Sequence, residues 1–135
     1  MRFVRALVFP VLLALTSLPV LADDLPPVEE VWGSLQVRST APIPEEVSNA
    51  TQAQALAREA AVVRGQTALL MHILKKRTHS KKTLAEAEIP SLPLQERVRG
   101  YIKGARVTRT QWVKEGCRVT LVLDKSELRS ILRRN

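Results

Sequence analysis

Apolar and polar residues alternate most regularly near the end of the chain, in residues 117–124. Four apolar residues fall on one side of this run: Cys117, Val119, Leu121 and Leu123. Such alternation predicts a half-buried β-strand. Residues 98–113 are rich in β-branched residues, and the short segment 114–116 ends in a glycine. We therefore predict that residues 98–124 form a β-hairpin with a glycine at its turn.

The apolar residues of the first hairpin strand change parity along its length. Two early residues share one parity and three later residues share the other: Val98 and Ile102, then Ala105, Val107 and Val113. A β-bulge near Gly104 would let both sets face the same core.

A third strand is predicted in residues 31–39, where Leu35 and Val37 alternate with polar residues before Pro42 and Pro44 end the pattern. The preceding segment, residues 23–30, is acidic and contains two adjacent prolines. We predict that it is a flexible N-terminal arm.

Between residues 50 and 76 the apolar spacing becomes helical and predicts the longest element of the chain. Its main apolar stripe comprises Ala53, Leu56, Ala60, Val63, Thr67, Leu70, Met71 and Leu74. We expect this stripe to pack on the sheet, because alanine allows a helix to approach closely.

A second, thinner stripe on this helix consists of Val62, Leu69 and Ile73. It lies well round the helix from the first stripe, so one interpretation is a subunit interface. Two others are that residues 84–92 fold back over it, or that these are scattered exposed side chains.

The C-terminal residues predict a short helix. Asp124, Ser126 and Glu127 have the spacing of a capping box, and Leu128, Ile131 and Leu132 follow on one face. The predicted fold class is α+β: a long helix packed on a three-stranded antiparallel sheet in the order β-α-β-β, with a short C-terminal helix, in one domain of residues 31–135.

Residues 1–22 have the three parts of a secretory signal peptide: Arg2 and Arg5, an apolar stretch, and a cleavage-type site that ends at Ala22. A membrane anchor is the alternative, but Pro10 interrupts the stretch and the stretch is shorter than the ~20 residues of a spanning helix. We predict cleavage after Ala22 and a periplasmic protein without lipid.

The chain is basic, and its net charge of +8 falls to +6 when Arg2 and Arg5 are removed with the signal peptide. Export makes nucleic acid an improbable partner, so we expect an anionic lipid surface or an acidic envelope protein instead.

Cys117 is the only cysteine, which excludes an internal disulfide. Its place in an alternating strand favours a buried thiol over a reactive one.

A basic run in residues 75–82 is the candidate anion-binding segment. Its cationic residues are Lys75, Lys76, Arg77, Lys81 and Lys82. No aromatic residue is interleaved among them to stack on bases, so a solvated loop is the alternative interpretation.

No motif of catalysis, cofactor binding or metal binding is recognisable in the sequence. His72 and His79 have no metal-ligand spacing around them. Gly100 and Gly104 are not followed by the Lys-Ser/Thr of a phosphate-binding loop. We therefore predict a protein that is not an enzyme and has no cofactor.

The order of elements and several residue positions resemble the Lpp-twenty-type lipoprotein domain, which also occurs at the front of the flagellar assembly protein T and in the flagellar protein P. The matching residues are Ala53, Leu56, Ala57 and Ala60, then Val98, Gly100, Ile102, Gly104, Ala105 and Val107, then Val119, Leu121 and Leu123. Asp23 stands where a lipid-bearing cysteine would follow the signal, and the loop 75–96 is more basic than is typical of the family.

The resemblance implies an envelope protein without an active site, which builds or steadies periplasmic structures and often works as a repeated subunit. We therefore expect a structural or assembly role, with a link to flagella as one form of it, and self-association or an envelope protein as partner. The alternative is a binding module that holds an anionic envelope surface or an acidic partner through the basic loop 75–82.

Overall fold

The computed structural model describes residues 24–135, so the predicted signal peptide lies outside the described residues. The elements are β1 (Val28–Val31), β2 (Ser34–Ala41), α1 (Ala50–Leu74), α2 (Leu84–Glu88), α3 (Leu92–Lys103), β3 (Arg106–Val113), β4 (Gly116–Asp124) and α4 (Lys125–Arg134). The α+β class, the helix packed on an antiparallel sheet and the C-terminal helix are confirmed. The described sheet has four strands instead of three.

The sheet has the strand order β1-β2-β4-β3, and every neighbouring pair is antiparallel. The added strand is β1, which contains residues 28–30 of the predicted flexible arm. A tight turn at Trp32 and Gly33 joins it to β2, so the strand predicted over residues 31–39 is confirmed as β2 from residue 34 onward, and only Val31 belongs to β1. Gly33 has a φ of 70°, which glycine adopts without steric cost.

Helix α1 begins after Asn49, whose side chain accepts a hydrogen bond from the backbone N–H of Gln52. Its buried residues are mostly small: Ala53, Ala57, Ala61, Gly65, Ala68, Leu69 and Ile73. A Cβ atom on Gly65 would lie 2.6 Å from Cδ1 of Leu121, so the helix lies very close to β4.

The predicted main stripe of α1 is only partly correct: Ala53 is buried and Leu70 and Leu74 pack against the core, but Leu56, Val63 and Met71 are exposed. Leu56 is 41% exposed and Val63 is 54% exposed. The reason is steric: the small residues permit the closer approach to the sheet, and this orientation turns Leu56 and Val63 away from it.

The predicted interface formed by Val62, Leu69 and Ile73 is also wrong. Leu69 and Ile73 are fully buried in the chain's own core, and Val62 is partly buried against it. Helix α2 contacts α1, and its Leu84 is fully buried in the same core cluster, so the start of the segment 84–92 folds back over this helix, whereas Ile89 and Leu92 are exposed.

Residues 92–103 form a helix, which corrects the predicted start of the hairpin at residue 98. The Ser91 side chain accepts from the backbone N–H of Leu94, and Gly104 ends the helix. Val98 and Ile102 share a parity because they are four apart on a helix and both are buried. The β-bulge is not near Gly104 but between Val107 and Arg109.

Tyr101 ties α3 to the junction between β4 and α4, because its hydroxyl donates to the backbone carbonyl of Asp124 at 2.5 Å. Burial of the ring, with Glu127 and Asp124 nearby, raises the pKa of Tyr101 to about 12. The phenol therefore remains a donor throughout the physiological range.

The end of the chain agrees with the sequence prediction. Strands β3 and β4 form a hairpin, and Gly116 at its turn has a φ of 133°. The Asp124 side chain accepts from the backbone N–H of Ser126 at the start of α4, and Leu128 and Ile131 are buried. Cys117 is buried, and that burial raises the pKa of its thiol.

Among residues 24–135, no helix combines the length and the apolar character that crossing a bilayer requires.

Candidate anion-binding surface

The two faces of the sheet differ in what covers them. The helices bury their apolar residues with Leu35, Val37, Val119 and Leu121, which share one face of β2 and β4. The alternate residues point to the other side, which we call the open face. Its central members on the paired strands are Glu29, Gln36, Arg38, Thr40, Arg106, Arg109, Gln111, Arg118, Thr120 and Val122, and Val31, Ser34, Val113, Gly116 and Asp124 lie at its ends.

Three arginines of the open face surround one threonine. Thr120 pairs with Arg38 on one side and with Arg109 on the other. Adjacent strands lie about 5 Å apart, so the backbones of these arginines are about 10 Å apart with Thr120 between them. Arg118 lies two residues before Thr120 on the same face of β4, and Thr120 itself is 7% exposed.

A β-bulge brings a fourth arginine to this face. Arg106 pairs with Val122 and Arg109 pairs with Thr120, although the two arginines are three residues apart in β3. In a regular strand that odd separation would place them on opposite faces. The extra residue, Thr108, restores the parity, so that both arginines lie on the open face.

These arginines are not neutralised by ion pairs within the described residues. Arg38, Arg106 and Arg109 are exposed, and Arg118 is half-buried with its Nε donating to Oγ1 of Thr40 at 3.3 Å. The nearest carboxylates by register or position lie at the margins: Glu29 on the edge strand, Glu115 in the hairpin turn and Asp124 at the end of β4. The centre of the open face is thus cationic, with hydroxyl and amide side chains between the guanidinium groups.

Such a surface can bind phosphate or carboxylate groups. A guanidinium group carries a fixed charge and can donate two parallel hydrogen bonds to one anionic group. Several arginines on a broad face suit a ligand with several anionic groups.

The predicted basic loop is folded rather than loose. Arg77 donates to the backbone carbonyl of Lys81 at 2.9 Å, and buried Thr78 donates to that of Lys82 at 2.9 Å. The backbone N–H of His79 donates to the carbonyl of Leu132 in α4. The loop therefore packs against the C-terminal helix, where Arg77 and His79 line a shallow depression with Arg129 and Arg133.

The five candidate residues of this loop are not equivalent. Lys76 donates to the carboxylate of Glu30, and the Arg77 guanidinium is bonded within the loop. Lys75, Lys81 and Lys82 are exposed. The structure thus separates two basic regions, one on the open face and one formed by the loop with α4.

Glu30 is the centre of a small charged cluster on the helix side of the sheet. Its Oε1 lies 3.2 Å from Nε2 of His72 and also accepts from Lys76, and its Oε2 lies 3.7 Å from Nζ of Lys125. The hydrogen bond from Lys76, followed by that from His72, lowers the pKa of Glu30 to about 2. The cluster joins β1 to α1 and α4, so we assign it a structural role.

The described residues offer no group of three or more His, Cys, Asp or Glu side chains that could hold a metal ion. Ser39 is fully buried between the sheet and α1, and its hydroxyl has no hydrogen-bond partner among the described residues.

Only part of the open face could be predicted from the sequence. The alternation of β2 and β4 places Arg38 and Arg118 on the polar side of their strands. The arginines of β3, Arg106 and Arg109, could not be assigned to this face from the sequence. The start of the strand was predicted wrongly, and the parity of the strand changes at the bulge.

Comparisons with family models, with curated proteins and with solved structures found no match to this chain.

Proposed function

We propose that this protein is a non-enzymatic, envelope-associated binding and assembly component that holds an anionic partner or surface through the open face of its sheet. The observation that carries the proposal is the set of three arginines around Thr120, with Arg106 beside them. The face supports binding better than the loop 75–82 does, because two of the loop's five candidate residues already bond within the chain.

The periplasm is the proposed location because residues 1–22 read as a signal peptide. The assembly role is supported by the resemblance to the Lpp-twenty-type domain, which also leaves a flagellar task as one form of the proposal. In the periplasm, the anionic groups within reach are the headgroups of acidic lipids and the carboxylates of acidic proteins.

A vesicle-binding experiment tests the proposal. Protein lacking residues 1–22 is mixed with vesicles of zwitterionic lipid alone or with added anionic lipid, and the bound fraction is measured by sedimentation at two salt concentrations. We expect binding only to anionic vesicles, weakening as salt rises. Polyglutamate serves as a parallel ligand, and a preference for it would assign the surface to an acidic protein.

Two matched triple variants locate the binding surface. The first changes Arg38, Arg109 and Arg118 to Gln, and the second changes Lys75, Lys81 and Lys82 to Gln, so both remove three positive charges. A basic residue near an anionic surface contributes about 1 kcal/mol, so the first variant should lose on the order of a hundredfold in affinity.

The loop variant should lose much less affinity than the arginine variant. Equal losses in the two would mean that binding follows net charge alone and would overturn the assignment to the open face. Melting curves of both variants check that the fold is retained.

A further inference from the structure

The outward side of α1 carries apolar residues that none of the described elements covers. Leu56 and Val63 are large and exposed, and Ala60 and Thr67 lie between and beyond them, also exposed. Together with Leu25 they line a shallow apolar depression. We call Leu56, Ala60, Val63 and Thr67 the outward stripe.

The outward stripe has the spacing of a coiled-coil seam. Its members follow one another at steps of four, three and four residues, which is the alternation of the a and d positions of a heptad. These side chains therefore form a nearly straight ridge that a second helix can pack along.

Two residues of opposite charge flank the outward stripe, and their spacing favours a second copy of this chain as the partner. Glu59 lies on one flank and Arg64 lies on the other, five residues later. In a parallel pair of identical helices, the residue at the g position of one copy meets the residue five positions later, at e, of the other. Two symmetric Glu59–Arg64 pairs would result.

An antiparallel pair would not have this complementarity. Each flank would then face the same flank of the other copy, so that Glu59 would lie on the side of the other Glu59, and Arg64 on the side of the other Arg64. Glu59 has no ion-pair partner among residues 24–135. Arg64 donates to the backbone carbonyl of Asp24 and retains other N–H donors.

We propose that α1 pairs in parallel with α1 of a second copy of this chain through the outward stripe. The two-fold axis then runs along the helices, and each residue of the stripe meets its own counterpart. Ala53, the next seam position before Leu56, is buried against the sheet, and Leu70 after Thr67 is partly buried. The contact is therefore short, and the dimer is concentration-dependent.

Cross-linking tests whether α1 pairs with its counterpart through the outward stripe. The variant Ala60→Cys places a thiol at a seam position where it meets its own counterpart, so mild oxidation should give a covalent dimer. Ala55→Cys is the matched control, because Ala55 is exposed on α1 but lies off the stripe. Cys117 is buried and should contribute little background. Equal cross-linking of the two variants would overturn the proposal.

Sedimentation velocity measures the association without modification. The wild-type protein should pass from monomer to dimer as its concentration rises, and Val63→Glu should remain monomeric while Ala55→Glu behaves as the wild type. Circular dichroism shows that each variant is folded. A wild type that stays monomeric at every concentration contradicts the proposal.

Charge reversal tests the flanking pairs. Glu59→Arg and Arg64→Glu should each weaken the dimer several-fold, because each replaces an attraction by a repulsion. The double variant should recover dimerisation towards the wild-type level. Failure of the double variant to recover would exclude the parallel arrangement even if a dimer exists.

Discussion

Glu30 is the residue through which β1 is held to the helices. All three ion pairs between described residues involve its carboxylate, with His72, Lys76 and Lys125 as partners. The carboxylate is partly exposed, so solvent screens these pairs and their total contribution to the free energy of unfolding is about 1 kcal/mol. Glu30 matters mainly because it holds β1 in place, and β1 is the strand that the sequence alone did not predict.

The variant Glu30→Gln should lower the melting temperature at pH 7 by an amount that disappears in acid. The folded protein holds the pKa of Glu30 at about 2, below its ordinary value of 4.5. The stabilisation is therefore complete above pH 4.5 and is lost as the pH falls towards 2. Calorimetric melting of both proteins across this range measures the difference.

Glu29→Gln is the control for that experiment, because the neighbouring carboxylate forms no ion pair among the described residues and its loss should leave the melting temperature nearly unchanged. If Glu30→Gln and Glu29→Gln had the same effect at every pH, the ion pairs of Glu30 would be irrelevant to stability.

Helix α1 is the element whose placement determines most of the fold. Its existence was predictable from apolar spacing, but its orientation was not. Large apolar residues occur on several sides of the helix, and periodicity alone favoured the side with Leu56 and Val63. The close contact of Gly65 with Leu121 explains the outcome, because a helix packs where its small residues allow the shortest distance to the sheet.

A matched pair of leucine variants tests this orientation. Leu69→Ala removes a fully buried side chain and should reduce the free energy of unfolding by about 2–5 kcal/mol. Leu56→Ala removes a side chain that is 41% exposed and should reduce it by only about 1 kcal/mol or less. Urea unfolding followed by circular dichroism compares the two, and similar losses would show that the helix is rotated from its assigned position.

The hairpin and helix α3 show a second limit of sequence patterns. The alternation in β4 predicted that strand correctly, because one of its faces is continuously apolar. The segment before it was misassigned, since Val98 and Ile102 fit the spacing of a strand and of a helix equally well. Ser91 as a cap and Gly104 as a terminator were the signals that distinguish the two.

At the scale of the whole molecule, the two faces of the sheet differ in composition and in what covers them. One face is covered by helices and contains the core, and the other presents arginines to solvent. The sequence favoured a structural or assembly role, and its alternative, a module that binds an anionic partner, placed the candidate site in the loop 75–82. Only the strand register and the bulge at Thr108 bring Arg38, Arg106, Arg109 and Arg118 to one surface.

Mapping the bound ligand on the isotope-labelled protein tests the open face most directly. Residues 23–135 are titrated with short-chain polyphosphate, and the shifts of the backbone amides and of the arginine Nε–H signals are recorded. We predict the largest changes at Thr40, Thr120 and the side chains of Arg38, Arg109 and Arg118. Changes confined to residues 75–82 and α4, with the open face unaffected, would contradict the account.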